Sequence, residues 1–152
     1  MTPTKRFWQY LKPILEAQHG VKYVKLSDGN RMDRLTADSV STDVYPCVFA
    51  IRPKYQGTDA NSGTLWARFS TILYIFEKAD LNDYDDQDAA YDLSEFIATQ
   101  IAQQLFHDSK DYRCLFDLNQ YQAEPVEYQM LDAAWGYEVK LTISLPANDL
   151  FC

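Results

Sequence analysis

Glycine is scarce in this chain: 5 in 152 residues, none of them in a Gly-x-Gly pair. That excludes the glycine-rich loops that cradle phosphates. Histidine is scarcer still, with His19 and His107 alone. No Cys or His spacing suits zinc, and no Gly-x-Ser-x-Gly elbow occurs. Each histidine falls at a predicted helix end, where it complements the helix dipole. A Cys–His nucleophile pair assembled in space stays open beside that reading. The 3 cysteines, Cys47, Cys114 and Cys152, are odd in number and far apart. They form no disulfide framework, so a reducing compartment is expected. No apolar run is long enough to span a bilayer, and the polar stretch Met1 to Arg6 leads into no signal-peptide core. The expectation is a soluble chain made in the cytoplasm, with no membrane partner.

Positive charge is also in deficit. Lys and Arg total 14 against 22 Asp and Glu, for a net charge of -8. A generic phosphate-backbone binder needs clustered Lys and Arg, so the balance argues against one. The basic residues lie mostly in the N-terminal half (Lys5, Arg6, Lys12, Lys22, Lys25, Arg31, Arg34, Arg52, Lys54, Arg68). Most of the acid follows Glu77. What the chain does hold is apolar and aromatic: 47% hydrophobic residues and 11 tyrosines. That suffices for one buried core, and the length fits a single domain over 1–152.

The first element is a predicted helix, capped by Thr2 or Thr4, with Phe7, Leu11, Ile14 and Leu15 on one face. Gly20 ends it, and Pro13 predicts a kink or two short pieces. Val21 to Leu26 reads as a strand, closed by a turn at Ser27-Asp28-Gly29-Asn30, with Arg31 to Leu35 returning as a hairpin. Thr36 to Asp43 reads as loop. Val44 to Ile51 is a second apolar strand, and Pro46 near its start marks an edge position or an entry to the strand. Lys54 to Gly63 has loop composition. Thr64 to Lys78 alternates strongly, and its second half is apolar on both faces, which predicts cover on both sides. Its length predicts a bend or a projecting end. Asp85 to Asp108 carries the strongest helical period, with acid at its start and His107 and Lys110 at its end. Strands follow at Arg113 to Leu118, Pro125 to Met130 and Tyr137 to Leu145, with a connection at Asp132 to Gly136. The fold expected is α+β: a mainly antiparallel sheet, one long helix packed across it, and the N-terminal helix.

Chemistry is sparse. The acidic run Asp80 to Asp88 fails as a calcium loop in both frames: from Asp80, positions 6 and 12 are Asp85 and Tyr91; from Asp83 they are Asp88 and Ser94. It reads as a solvated helix start. No cofactor, no metal site and no catalytic residue is expected. Trp8, Trp66 and Trp135 read first as packing residues. The outer face of the long strand, with Trp66, Ile72, Tyr74 and Phe76, exceeds what one helix can cover, and an uncovered apolar stripe marks a protein interface. An edge at Val44 to Ile51, through Tyr45 and Val48, adds backbone groups for pairing with a neighbour.

The residue order then resembles a known family. An N-terminal helix leads to Tyr45-Pro46-Cys47-Val48-Phe49. A long strand from Trp66 to Phe76, an acidic turn and a helix from Asp88 to His107 come next. Trp135-Gly136-Tyr137 opens the closing strand. This resembles the tail terminator (tail completion) and related neck proteins of tailed bacteriophages, over nearly the whole chain. Pro13 and the long segment Asp111 to Tyr128 depart from the pattern. The resemblance implies a non-enzymatic virion protein assembled in the host cytoplasm. It would form a homo-oligomeric, usually hexameric, ring that caps the tail tube and joins it to head–tail connector proteins. Tyr45, Val48, Trp66, Ile72, Tyr74 and Phe76 become interface residues. Asp80, Asp83, Asp85, Asp86, Asp88, Glu124, Glu127 and Asp132 become candidates for a lumen that DNA passes without specific binding, or for contact with a neighbouring subunit. Two other classes stand beside it: a small acidic binding module of the immunity or inhibitor type, and an enzyme whose site is assembled from His19 or His107.

Overall fold

The structure, a computed structural model, describes residues 1–27, 44–59, 63–128 and 133–151. The elements run α1 (Pro3–Glu16), β1 (Tyr23–Ser27), β2 (Cys47–Ile51), β3 (Lys54–Asp59), β4 (Leu65–Lys78), α2 (Tyr84–Lys110), β5 (Leu115–Phe116), a 3-10 turn (Leu118–Gln120), β6 (Gln122–Tyr128), β7 (Ala134–Pro146) and α3 (Asn148–Phe151). The class is α+β, with the long helix α2 packed on the sheet. The sheet is mixed. Strand β1 pairs parallel with β2, and the other pairings are antiparallel. The expected return strand Arg31 to Leu35, its turn, and the loop Thr36 to Asp43 lie outside the described residues.

Alternation and length make β4 and β7 the centre. They pair along their full length, from Trp66 opposite Pro146 to Lys78 opposite Ala134. On its other side β4 pairs first with β3 and then with β2. From Ala50 to Lys54 one chain advances four residues while β4 advances three, from Leu73 to Ser70. The extra residue at Arg52-Pro53 is a β-bulge, a place where a proline costs no ladder hydrogen bond. Thr71 donates its hydroxyl to the Ile51 carbonyl beside it at 2.6 Å. The long strand thus has partners throughout, and neither end projects as its length alone predicted. Lys54 to Asp59 is strand rather than loop because its backbone pairs with β4. All six residues are exposed, so no hydrophobic alternation announces it.

Helix α1 is capped by Thr2, whose hydroxyl accepts from the Lys5 N–H at 3.3 Å, with Pro3 in its first turn. It is one helix through Pro13, not two pieces. Both Pro13 and Gln9, whose carbonyl loses its helical donor, are exposed, so solvent replaces the missing bond. Helix α2 spans 27 residues, about 40 Å at 1.5 Å per residue. It ends in a Schellman arrangement. Arg113 N–H bonds the Asp108 carbonyl and Tyr112 N–H bonds that of Ser109, with Tyr112 at φ 57 where glycine is usual.

One face of the sheet and both helices form the main core. Phe7, Leu11 and Leu15 of α1 and Ile97, Ile101 and Leu105 of α2 meet Val48, Phe69, Leu73, Ile75, Val139 and Leu141. At one end, Trp135 is buried against Ala79 and Ala90, as a packing residue. Its neighbour Gly136 lies so close to β4 that a Cβ there would sit 1.6 Å from the Ile75 carbonyl oxygen. On the opposite face, Tyr45, Cys47, Phe49, Phe76 and Ala134 make a second buried cluster. Ile75 and Phe76, adjacent on β4, are therefore buried on opposite faces, as the doubly apolar half predicts.

Candidate functional site

The helices cover one face of the sheet, and the other carries the even-numbered side chains of β4 and β7. Trp66, Ile72 and Tyr74 lie there, each half-buried. These three expected interface residues keep accessible surface. The other three do not. Val48 points to the helices and is fully buried in the main core. Tyr45 and Phe76 are enclosed in the second cluster, each 2% exposed. Nor is β2 an edge, since it is bonded to β1 on one side and β4 on the other. The apolar run misled because a central strand and an edge strand read alike until their partners are known.

The middle of this helix-free face holds a cleft of about 310 Å³. Ile51 and Ile72 give it apolar floor, while Arg52, Lys54 and Lys140 bring three cations. Among the described residues no acidic one lines it, in a chain of net charge -8. Among the described residues no ion pair holds these cations. Ser70 and Thr142 share a hydroxyl–hydroxyl hydrogen bond of 3.2 Å on its wall. Arg68, on the same face, is tied to Asp117 at 3.1 Å. The acids on this face lie along the strands: Glu138 is two residues from Lys140, and Glu124 of β6 stands directly opposite Glu138. Burial, then Glu138, pushes the Tyr74 phenol above its ordinary pKa. The convergence of Arg52, Lys54 and Lys140 is invisible as spacing. Only the register, which sets Lys54 opposite Ser70 and Lys140 opposite Ile72, brings them together.

The acidic candidates do not form one surface. Asp80, Asp83, Asp85, Asp86 and Asp88 gather at the start of α2. Asp83 caps the helix, accepting from the N–H groups of Asp85 and Asp86 at 3.1 and 3.2 Å. Asp86 accepts from Asp80 N–H at 2.8 Å, and Gln87 donates to the Asp80 and Leu81 carbonyls. These bonds brace the turn, and Leu81 and Tyr84 stand out from it, 59% and 81% exposed. Glu127 is elsewhere, on β6 beside Tyr91 of α2, whose phenol it helps to push above its ordinary pKa after burial. Glu124 is on the helix-free face, and Asp132 lies outside the described residues. Among the described residues, no group of three or more His, Cys, Asp and Glu could hold a metal ion.

Cys114 is buried, and its hydrogen-bond partners are Tyr10, Ser109 and the Leu105 carbonyl rather than a histidine. Burial pushes its thiol above the ordinary value, the reverse of an activated nucleophile. His19 is exposed after α1, and His107 lines an apolar groove with Phe106, Phe116 and Leu118. In that groove Lys110 sits 5.4 Å above the Phe106 ring. Among the described residues no helix is long and apolar enough to cross a membrane. The chain matches no protein-family model and no curated protein.

Proposed function

We propose that this protein is a structural component of a tailed-phage neck, a tail terminator that forms a ring at the head-proximal end of the tail. The observation that carries the reading is the helix-free face of the sheet. There Trp66, Ile72 and Tyr74 leave apolar surface only partly covered, beside a cleft whose cations have no ion pair among the described residues. Such a surface is suited to a protein partner. The α+β order, with one long helix across the sheet, supports the resemblance carried by Trp66 to Phe76, the acidic turn and Trp135-Gly136-Tyr137. In this role the protein acts by shape and contact. The ring closes through two different surfaces of each subunit, caps the tail tube, meets a connector on its other side, and lets DNA pass.

The decisive measurement is the mass in solution, alone and with the tail tube protein encoded in the same genome. The expected result is a closed ring of fixed mass that binds the end of the tube. A strict monomer in both conditions overturns the reading. A second reading, an acidic module that blocks a basic site on a toxin, draws support from the exposed acidic turn at the start of α2. It requires a monomer that forms a one-to-one complex.

A further inference from the structure

Two surfaces of this chain are complementary in charge and in apolar character. The first is the projection at the start of α2, where Leu81 and Tyr84 are exposed and Asp85 and Asp88 flank them. The carboxylates of Asp83 and Asp86 are occupied by backbone N–H groups, so the turn is held in shape before any partner arrives. The second is the cleft on the helix-free face, with Ile51 and Ile72 as floor and Arg52, Lys54 and Lys140 around it. Its volume is at the low end for ligand pockets, the scale of one large side chain rather than a folded ligand. The two surfaces occupy different parts of the fold, the middle of the helix-free sheet face and the start of α2. Pairing them joins subunits head to tail, the geometry that generates rings.

We infer that the acidic projection Leu81–Tyr84–Asp85–Asp88 of one subunit seats in the Arg52–Lys54–Lys140 cleft of the next. This rests on the self-assembling reading above and names the surfaces that reading needs. Tyr84 supplies apolar area with few rotatable bonds, and the carboxylates meet cations that have no ion-pair partner among the described residues. Net charge of one sign would otherwise drive copies apart. Placing the cations of the cleft opposite the acidic turn converts that repulsion into directional attraction.

The test uses the full chain and two charge-reversal variants at exposed positions. One carries Lys54→Glu and Lys140→Glu, the other Asp85→Lys and Asp88→Lys. Among the described residues none of these side chains serves a cap or an ion pair. Circular dichroism checks that each variant is folded, and sedimentation velocity reads the assembly. Each variant alone is expected to need at least about tenfold more protein to assemble than the wild type, because like charges now face each other. An equimolar mixture is expected to regain the wild-type mass, since each reversed surface finds its opposite on the other variant. Wild-type rings that persist in both single variants overturn this contact and leave the ring reading standing. Variants that stay apart when mixed overturn it too. A monomeric wild type overturns both. If the wild type instead binds duplex DNA and the Lys54→Glu/Lys140→Glu variant does not, the cleft serves phosphate and the contact is overturned.

Discussion

Tyr10 of α1 donates its hydroxyl to Asp108 of α2 at 2.7 Å, inside the joint where the two helices meet β5. Gln104 bonds the other carboxylate oxygen at 3.0 Å, and the same tyrosine hydroxyl lies 3.1 Å from the Cys114 sulfur. Burial first, then these hydrogen bonds, pushes the Tyr10 phenol far above its ordinary pKa, so it stays a donor at any working pH. Tyr10→Phe leaves a buried carboxylate short of a partner. The expected loss is about 1–3 kcal/mol of unfolding free energy, read by urea denaturation. An unchanged midpoint would remove the network from the account of how α1 is held.

Gly136 is fixed by contact, not by backbone dihedral. It faces Phe76 across the central strand pair, where a methyl group would meet the Ile75 carbonyl. Gly136→Ala must push β7 from β4 or tilt both strands. A loss of about 4 kcal/mol or more is expected, enough to abolish a cooperative thermal transition in a marginal domain. A variant with wild-type melting would show that the strands separate freely at this point.

Glu77 gives a signed pH dependence. Burial raises its pKa, opposed by the Lys78 N–H it accepts at 2.8 Å and by Lys22. A carboxyl whose folded pKa lies above its unfolded value favours the fold when protonated. That contribution is present below the ordinary glutamate range and is lost as pH rises through the raised folded value. Glu77→Gln keeps the acceptor and removes the charge. It is expected to raise the melting temperature at about pH 7 and to change it little at about pH 4. Equal effects at both pH values would contradict this assignment.

Tyr112 occupies a left-handed position that costs an L-residue about 1–2 kcal/mol. It is 73% exposed, so packing does little to offset that. Tyr112→Gly is expected to stabilise the chain by a part of that amount, about 0.5–1 kcal/mol by denaturant titration, since glycine brings its own unfolded-state entropy. A destabilised variant would mean the ring makes contacts worth more than the strain.

The period of 3.6 residues placed α1 and α2, and the period of 2 placed β4 and β7, because each of these elements buries one continuous stripe. Thr2 and the acid before Tyr84 marked the helix starts for the same local reason: caps and dipoles act within one turn. Strand β3 left no such trace. Its residues are all exposed, and only the backbone of β4 makes it a strand. The burial of Tyr45, Val48 and Phe76 was equally unreadable. An apolar residue bound for a core and one bound for an interface have the same chemistry, and neighbours far along the chain decide between them. Local pattern was thus enough for a net-acidic α+β chain with one long helix and a solvated acidic stretch at its start. The parallel pairing of β1 with β2 and the bulge at Arg52-Pro53 had to wait for the assembled sheet. So did the meeting of Arg52, Lys54 and Lys140 in one cleft, because register between distant strands sets which side chains share a face.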